Sequence, residues 1–262
     1  MNAMRVVFII GTPIAQVRSP VLLNEYFAKS NMNCIAAPLE VQPEHLPAFV
    51  DTIRGSGNCA GLILTIPHKA PAFHLVDSWT TRARALELVN LVRRNPDGSL
   101  AGDMVDGVGF WNNAMATGFD PAGKNIVLAG AGAAGTAIAH AFAERGGARL
   151  DVIEPETARL TALAACLQGF ATEIVYGMPA DFSGFEMVIN ASPVGMRHQP
   201  GCVFSGAALA SLAKTAIVAD AITEPLQTEL IAAAGALGLE TIDGNAMTAG
   251  QIEFMVEFFG LQ

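Results

Sequence analysis

The stretch KNIVLAGAGAAGTAIAHAFAERGGARLDVIEP, residues 124–155, contains the pattern that decides the fold. A short apolar run, NIVLA, leads into the hexapeptide GAGAAG, which has the spacing G-x-G-x-x-G. An alanine-rich segment follows, and LDVIEP then supplies a second apolar run about twenty residues on. The order strand, glycine turn, helix, strand predicts a βαβ unit of a parallel sheet.

The glycine turn is a candidate site for a dinucleotide. Glycines allow a tight turn and a close approach of the backbone to a pyrophosphate, which rests on the N-terminus of the next helix. A βαβ turn with a purely structural role is the alternative, because segments rich in alanine and glycine match the pattern by chance. The candidate residues are Gly130, Ala131, Gly132, Ala133, Ala134 and Gly135.

The end of the second strand bears on the choice of dinucleotide. Glu154 can accept hydrogen bonds from both hydroxyls of a ribose, but it would repel a 2′-phosphate, which requires an arginine. Pro155 and Glu156 follow it, and Arg159 comes one helical turn later. The sequence therefore predicts NAD, with NADP as the alternative cofactor. A loop-capping role is the alternative for Glu154.

The rest of the chain alternates short β-branched runs with longer alanine- and leucine-rich segments, which is typical of α/β proteins with parallel strands. The run CAGLILTI predicts a strand that delivers Lys69 at its C-terminal end, where ligands of open α/β sheets bind. We predict two domains. Residues 1–105 plus 244–262 form an α/β domain, and residues 106–243 form a Rossmann-type, doubly wound parallel-sheet domain that binds NAD(P).

Composition narrows the classes of partner and location. The chain has 262 residues and a net charge of −9 with scattered lysines and arginines, so we expect no nucleic-acid partner. No apolar run reaches the roughly 18 residues of a membrane helix. The four cysteines lie far apart without histidines at ligand spacing, so neither a disulfide framework nor a metal site is expected. By elimination we expect a cytoplasmic location. We also expect a small-molecule substrate, no membrane partner, and a monomer or homodimer.

Segments along nearly the whole chain resemble, in order, the motifs of the shikimate dehydrogenase family. GTPIAQVRSPVLLN resembles G-x-P-I-x-x-S-x-S-P, GLILTIPHK resembles G-x-N-V-T-x-P-x-K, LVN resembles A-V-N, and GDMVDGVGF resembles G-x-N-T-D-G-x-G. NASPVGM resembles N-A-T-x-x-G-M, DAITEPLQTEL resembles D-x-x-Y-x-P-x-x-T-x-L, and GNAMTAGQ resembles G-x-x-M-x-x-x-Q.

The resemblance implies an oxidoreductase that oxidises a ring hydroxyl of shikimate, quinate or a related cyclohexene or cyclohexane carboxylate with a nicotinamide cofactor. It implies Lys69 and Asp106 as the catalytic pair. The residues implied to contact the substrate are Ser19, Thr65, Asn90, Thr223 and Gln251, and those on the nicotinamide side are Asn190, Ser192, Ala221 and Gly244. A helix cap is the alternative role for Ser19.

The departures from the family pattern concentrate at substrate positions. Val17 replaces a carboxylate-binding serine, Ile63 and Met104 replace asparagines, and Thr223 replaces a tyrosine. Losing two or three hydrogen bonds costs on the order of 3 kcal/mol, or about a hundredfold in kcat/KM. We therefore predict weak turnover of shikimate and a different preferred ring.

Three other interpretations stay open. The first is an NADP-dependent shikimate dehydrogenase of aromatic amino-acid biosynthesis, although the family's N-R-T-x-x-R segment reads EPETAR here, with Pro155 at the arginine position. The second is a methylenetetrahydrofolate dehydrogenase, which also combines a catalytic lysine with an NAD(P) domain. The third is a homologue that binds a dinucleotide or metabolite without turnover.

Overall fold

The computed structural model describes residues 3–15 and 17–261, which form two compact α/β units. The first unit contains the chain up to Val105 together with the segment from Gln251 onward, and the second runs from Asp106 to Gly250. Each unit is built on a six-stranded sheet. Among the described residues, no helix has the length and apolar character needed to cross a membrane.

Strands and helices alternate along most of the chain. The strands are β1 (Arg5–Gly11), β2 (Cys34–Glu40), β3 (Cys59–Leu64), β4 (Ser78–Trp79), β5 (Leu91–Arg94), β6 (Leu100–Asp103), β7 (Asn125–Ala129), β8 (Arg149–Ile153), β9 (Glu173–Tyr176), β10 (Met187–Asn190), β11 (Ile217–Asp220) and β12 (Glu240–Ile242). The helices are α1 (Ser19–Lys29), α2 (Leu46–Arg54), α3 (Lys69–Phe73), α4 (Thr81–Leu86), α5 (Asp106–Ala116), α6 (Ala133–Glu144), α7 (Thr157–Cys166), α8 (Gly206–Ala210), α9 (Glu229–Ala236), α10 (Gly244–Ala249) and α11 (Ile252–Phe258). The alternation is interrupted where β5 precedes β6, β9 precedes β10 and α10 precedes α11.

The first sheet is mixed, with the strand order β2-β1-β3-β5-β6-β4. β1 runs parallel to β2 and β3, whereas β5 is antiparallel to both β3 and β6. The alternating pattern predicted parallel strands and did not reveal this hairpin. Its turn is closed by hydrogen bonds between Asn95 and Ser99, and so short a connection can join only antiparallel strands.

The second sheet is parallel throughout, with the order β12-β11-β10-β7-β8-β9. The strand order reverses between β7 and β10, so the predicted doubly wound, Rossmann-type arrangement is confirmed. Ligands bind in such sheets beyond the carboxyl ends of the strands at that reversal.

The chain returns to the first unit at Gln251, later than the return near Gly244 expected from sequence. The physical reason is α10, which begins at Gly244 and packs against α5 within the second unit. The next helix, α11, belongs to the first unit and buries Ile252, Met255 and Val256 in its core. The position where the second unit ends is thus set by packing between helices rather than by a change in composition.

Candidate substrate and cofactor sites

Lys69 stands directly after a turn that is held by backbone hydrogen bonds. β3 is buried along its whole length and ends at Leu64. The Thr65 N–H donates to the Ile10 carbonyl at 2.9 Å, and the His68 N–H donates to the Thr65 carbonyl at 2.9 Å. Lys69 then begins α3, and its carbonyl accepts a hydrogen bond from the Val89 N–H at 3.0 Å. The backbone that carries the lysine is therefore tied to its neighbours on both sides.

The antiparallel hairpin brings further polar residues to the same edge of the sheet. Because β5 runs against β3, Asn90 at its start lies beside the end of β3, and the Leu64 N–H donates to the Asn90 carbonyl at 2.7 Å. Asn90 is buried, and its Oδ1 accepts from the Val105 N–H at 2.9 Å. Its Nδ2 lies 3.5 Å from Oε1 of Gln251, which is also buried. The structure thus groups Thr65, Lys69, Asn90 and Gln251.

Ser19 is buried as the first residue of α1. The N-cap is Arg18, without a side-chain capping bond, so the alternative role of Ser19 as the cap does not hold. With Ser19 as the cap the helix would begin at Pro20, so α1 begins one residue earlier than the Ser-Pro cap signal predicts.

The substrate positions that depart from the family pattern are apolar and packed. Ile63 and Met104 are buried, and Val17 packs against the core of the first unit. These side chains provide contact area but no hydrogen bonds to a polar ring. Thr223 lies in the second unit, in the segment that follows β11.

Sequence reasoning missed a charged cluster beside Asn90. Asp103, 2% exposed at the end of β6, accepts hydrogen bonds from Thr80 Oγ1, from the Met104 N–H at 2.7 Å and from Nε and Nη2 along one edge of the Arg82 guanidinium. The Arg82 guanidinium also lies 5.9 Å from the ring centre of Phe254 in α11. The charge of the Arg82 guanidinium compensates the charge of the buried Asp103 carboxylate.

The glycine turn of the second unit fits the close approach of a phosphate-bearing ligand. Gly130 has φ +93°, and a Cβ there would lie 2.7 Å from the Ser192 nitrogen. A Cβ on Gly135 would lie 2.0 Å from the Gly130 carbonyl oxygen, so neither position accepts a side chain. Gly132 is the N-cap of α6, whose first residues are Ala133 and Ala134, so small residues surround the helix N-terminus.

Glu154 is held against the glycine turn by hydrogen bonds. Its Oε2 accepts from the Ala131 N–H at 2.8 Å, and its Oε1 accepts from the Glu156 N–H at 3.0 Å. Arg159 Nη1 is 3.7 Å from Glu154 Oε2, while Arg159 Nε is 2.8 Å from Glu156 Oε2. Two carboxylates therefore share one guanidinium, and the group of three side chains keeps a net negative charge.

A second polar network joins the ends of β10 and β11. Asn190 Oδ1 accepts from Ser192 through its N–H at 3.0 Å and its Oγ at 2.7 Å, and Asn190 Nδ2 donates to Asp220 Oδ1 at 3.1 Å. Thr228 Oγ1 donates to Asp220 Oδ2 at 2.7 Å. The Ala221 N–H donates to the Asn190 carbonyl at 2.8 Å. Gly244, the first residue of α10, lies so close to this segment that a Cβ on it would be 2.3 Å from the Ile222 carbonyl oxygen. Asp220 and Thr228 lie in the motif DAITEPLQTEL, but the sequence predicted no role for either residue.

The buried carboxyl of this network makes stability depend on pH. Burial raises the pKa of Asp220, and hydrogen bonds from Thr228, the Ile222 N–H and Asn190 oppose that shift. A carboxyl with a raised pKa in the folded state favours folding at low pH, and this contribution is lost as the pH rises through the folded pKa. We expect Asp220→Asn, which keeps one acceptor oxygen, to remove that loss, so its stability relative to the wild type should increase from pH 4 to pH 8.

Urea unfolding at a series of pH values measures this difference. The control is Asp51→Asn, which removes an exposed carboxyl from α2 and should leave a curve parallel to the wild type. A constant or shrinking difference between Asp220→Asn and the wild type across that range contradicts the expectation.

The catalytic lysine and aspartate implied by the resemblance lie in different units. Lys69 belongs to the first unit, and Asp106, which is buried, is the first residue of α5 and opens the second. The residue before it, Val105, is the one held by Asn90. Of the candidate residues, Ser19, Thr65, Lys69, Asn90 and Gln251 lie in the first unit, whereas Asp106, Thr223 and the cofactor candidates lie in the second.

Comparisons with known proteins agree over nearly the full length. A family model described as the shikimate dehydrogenase substrate binding domain matches residues 9–92. A curated relative from Methylobacterium radiotolerans, named shikimate dehydrogenase (NADP(+)), is 36% identical over 249 residues, which cover 93% of this chain and 87% of the relative. A relative of the same name from Rhodospirillum rubrum is 33% identical over 258 residues and covers 94% of this chain and 88% of its own length.

Solved structures give the same result. A quinate dehydrogenase from Corynebacterium glutamicum in complex with NAD has a TM-score of 0.84 at 28% identity, covering 98% of this chain and 94% of that chain. A ligand-free 5-ketofructose reductase from Gluconobacter sp. strain CHM43 has a TM-score of 0.86 at 27% identity, covering 98% and 93%. Ordered motifs, fold and full-length similarity together establish that the chain belongs to the shikimate dehydrogenase family.

Proposed function

We propose that this protein catalyses the reversible, NAD-dependent oxidation of a ring hydroxyl of shikimate or of a related cyclohexene or cyclohexane carboxylate. As a member of its family, the chain is a shikimate dehydrogenase-like oxidoreductase that works with a nicotinamide dinucleotide. The observation that carries the proposal is the grouping of Thr65, Lys69, Asn90 and Gln251 at one edge of the first sheet. We assign substrate binding to the first unit and dinucleotide binding to the second.

We assign proton transfer to Lys69, with Asp106 as the second member of the catalytic pair. A bound nicotinamide would supply the acceptor for the hydride that leaves the carbon carrying the reacting hydroxyl. The hydroxyl proton must leave in the same reaction, and the Lys69 amine removes it. In the reverse direction the ammonium of Lys69 returns the proton and stabilises the growing alkoxide by its charge.

The remaining polar residues are assigned to recognition. In this proposal Ser19, Thr65, Asn90, Thr223 and Gln251 hydrogen-bond the carboxylate and ring hydroxyls of the substrate. The packed side chains of Val17, Ile63 and Met104 replace hydrogen-bonding groups of the family, and each lost bond costs roughly 0.5–1.5 kcal/mol. A substrate whose polar groups differ from those of shikimate therefore suits this site better.

The preference for NAD rests on the charges around Glu154. Its carboxylate is fixed by the Ala131 N–H at 2.8 Å, which places a negative group beside the turn that would cradle the pyrophosphate. Arg159, the nearby cation, is engaged by Glu156 at 2.8 Å. A 2′-phosphate would add negative charge to a region whose charge is already negative, whereas ribose hydroxyls would donate to the carboxylate.

A neutral polyhydroxy ketone is a second candidate substrate. Val17 occupies the position of a carboxylate-binding serine and packs against the core, so one partner for a substrate carboxylate is lost. A solved structure similar to this chain is named a 5-ketofructose reductase, after a substrate without a carboxylate. In this case the chain would work in the direction of reduction, with Lys69 supplying the proton.

Initial rates followed by nicotinamide absorbance test these proposals. Shikimate and quinate are offered with NAD and with NADP, and 5-ketofructose is offered with each reduced cofactor. We expect reduction of NAD, slow with shikimate. Faster turnover of 5-ketofructose than of both carboxylates would select the neutral substrate, and turnover with NADP alone would overturn the NAD assignment.

A further inference from the structure

His68, the residue before Lys69, makes a hydrogen bond that no sequence motif reveals. The imidazole is 0% exposed, and its Nε2 lies 2.8 Å from the carbonyl oxygen of Val41. A carbonyl oxygen can only accept, so Nε2 carries the hydrogen and donates it. Among the described residues Nδ1 has no hydrogen-bond partner. A buried polar atom without a partner destabilises a fold, so stability alone does not account for a histidine here.

The partner of His68 connects three strand ends. Val41 follows β2, and its N–H donates to the carbonyl of Gly11, the last residue of β1, at 3.2 Å. His68 itself follows β3. The His68 imidazole therefore links the carboxyl ends of three strands: His68 follows β3 and bonds to Val41 after β2, and Val41 bonds to Gly11 at the end of β1. Backbone hydrogen bonds connect the Thr65–Lys69 turn to β1 and to Val89. Its connection to Val41, after β2, is made by the His68 side chain.

We propose that His68 is a positioning residue for Lys69. Its Nε2–H bond to Val41 fixes the orientation of the Thr65–Lys69 turn relative to the β1 and β2 ends, and so fixes where the amine of Lys69 meets the reacting hydroxyl. The inference rests on the proposed catalytic role of Lys69. Catalysis is sensitive to such placement, since a displacement of about 1 Å can cost about a hundredfold in rate.

Three substitutions separate positioning from packing. His68→Phe fills the same space without a donor, His68→Asn has a donor too short to reach Val41, and His68→Gln extends an N–H to about the position of Nε2. We expect His68→Phe and His68→Asn to lower kcat by about tenfold or more, and His68→Gln to restore most of it. The KM for NAD should stay within about twofold of the wild type, because the cofactor residues lie in the second unit.

Two further measurements do not depend on turnover. Thermal unfolding should show His68→Phe and His68→Asn folded at the assay temperature; His68→Phe leaves the Val41 carbonyl without its donor but also removes a buried acceptor that lacks a partner, and the two effects on stability oppose each other. Labelling of the Lys69 amine by an acylating reagent, followed by peptide mass spectrometry, should be faster in His68→Phe and His68→Asn than in His68→Gln and the wild type. For the comparison of kcat among the three His68 variants, the substrate is whichever of shikimate and quinate the wild type oxidises faster.

The outcomes distinguish this inference from the proposed function. Wild-type kcat and labelling in His68→Phe, or a His68→Gln variant as slow as His68→Phe, would overturn the positioning role. Lys69→Ala is measured in parallel. Full activity of Lys69→Ala refutes the catalytic assignment itself, whereas an inactive Lys69→Ala beside an unimpaired His68→Phe refutes only the inference about His68.

Discussion

Replacing Lys69 with alanine should lower kcat for the oxidation of the preferred substrate by about 10³-fold, within the range that a positioned acid–base group contributes. The amine is expected to take the hydroxyl proton and to stabilise the alkoxide, and alanine does neither. The KM for NAD should change by less than about twofold, because the lysine lies in the first unit and the glycine turn in the second. Steady-state rates at saturating NAD measure the effect.

The matched control removes another lysine. Lys29 is exposed at the end of α1, so Lys29→Ala makes the same chemical change away from the candidate site and should keep wild-type kcat. If Lys69→Ala lost less than about tenfold in kcat, Lys69 would not be the acid–base group. A lower affinity for substrate with unchanged kcat would instead indicate a purely binding role.

The double substitution Glu154→Asn with Pro155→Arg should shift the ratio of kcat/KM for NADP over NAD upward by about a hundredfold. One carboxylate beside the ribose is removed and one guanidinium is added, and a single charge pair near a protein surface is worth about 3 kcal/mol at 5 Å. Asparagine is one methylene shorter than glutamate and gives up the hydrogen bond that Glu154 accepts from the Ala131 N–H at 2.8 Å, but the close packing around Gly130 and Gly135 should keep the shape of the glycine turn. Initial rates with both cofactors measure the ratio.

The control for this double substitution also removes one carboxylate, but from a different strand of the second sheet. Glu240 is exposed on β12, at the opposite edge of the second sheet from β9, and Glu240→Gln should leave the cofactor ratio unchanged. A wild type that already prefers NADP, or a double variant whose ratio does not move, would show that Glu154 does not select the cofactor.

The second unit could be predicted from local sequence because its signals are local. The run NIVLA, the turn GAGAAG and the run LDVIEP lie within one βαβ unit, and each matches the element found. The spacing also placed Glu154 at the end of β8, where its carboxylate accepts from Ala131. Short-range patterns of this kind reflect the backbone conformations that glycine and β-branched residues favour, so the sequence indicates them directly.

The first unit was less predictable because its site depends on pairing across the chain. The hairpin of β5 and β6 turns Asn90 towards the end of β3, and no periodicity in the sequence indicates that register. The Asp103–Arg82 pair and the His68–Val41 bond join residues 21 and 27 positions apart. Such contacts come from tertiary packing, which a sequence pattern does not encode. The residues of the family motifs were found only through resemblance.

The return of α11 to the first unit has a consequence for how the chain is made. The core of that unit combines Val7 and Phe27, near one end of the chain, with Met255 and Phe259, near the other. During synthesis, the whole of the second unit leaves the ribosome before this core can be completed. Because the second unit is continuous in sequence, it can fold before α11 has been synthesised and can pack against the first strands of the chain. The apolar surface of β1 and α1 is then the part of the nascent chain that most needs protection from aggregation.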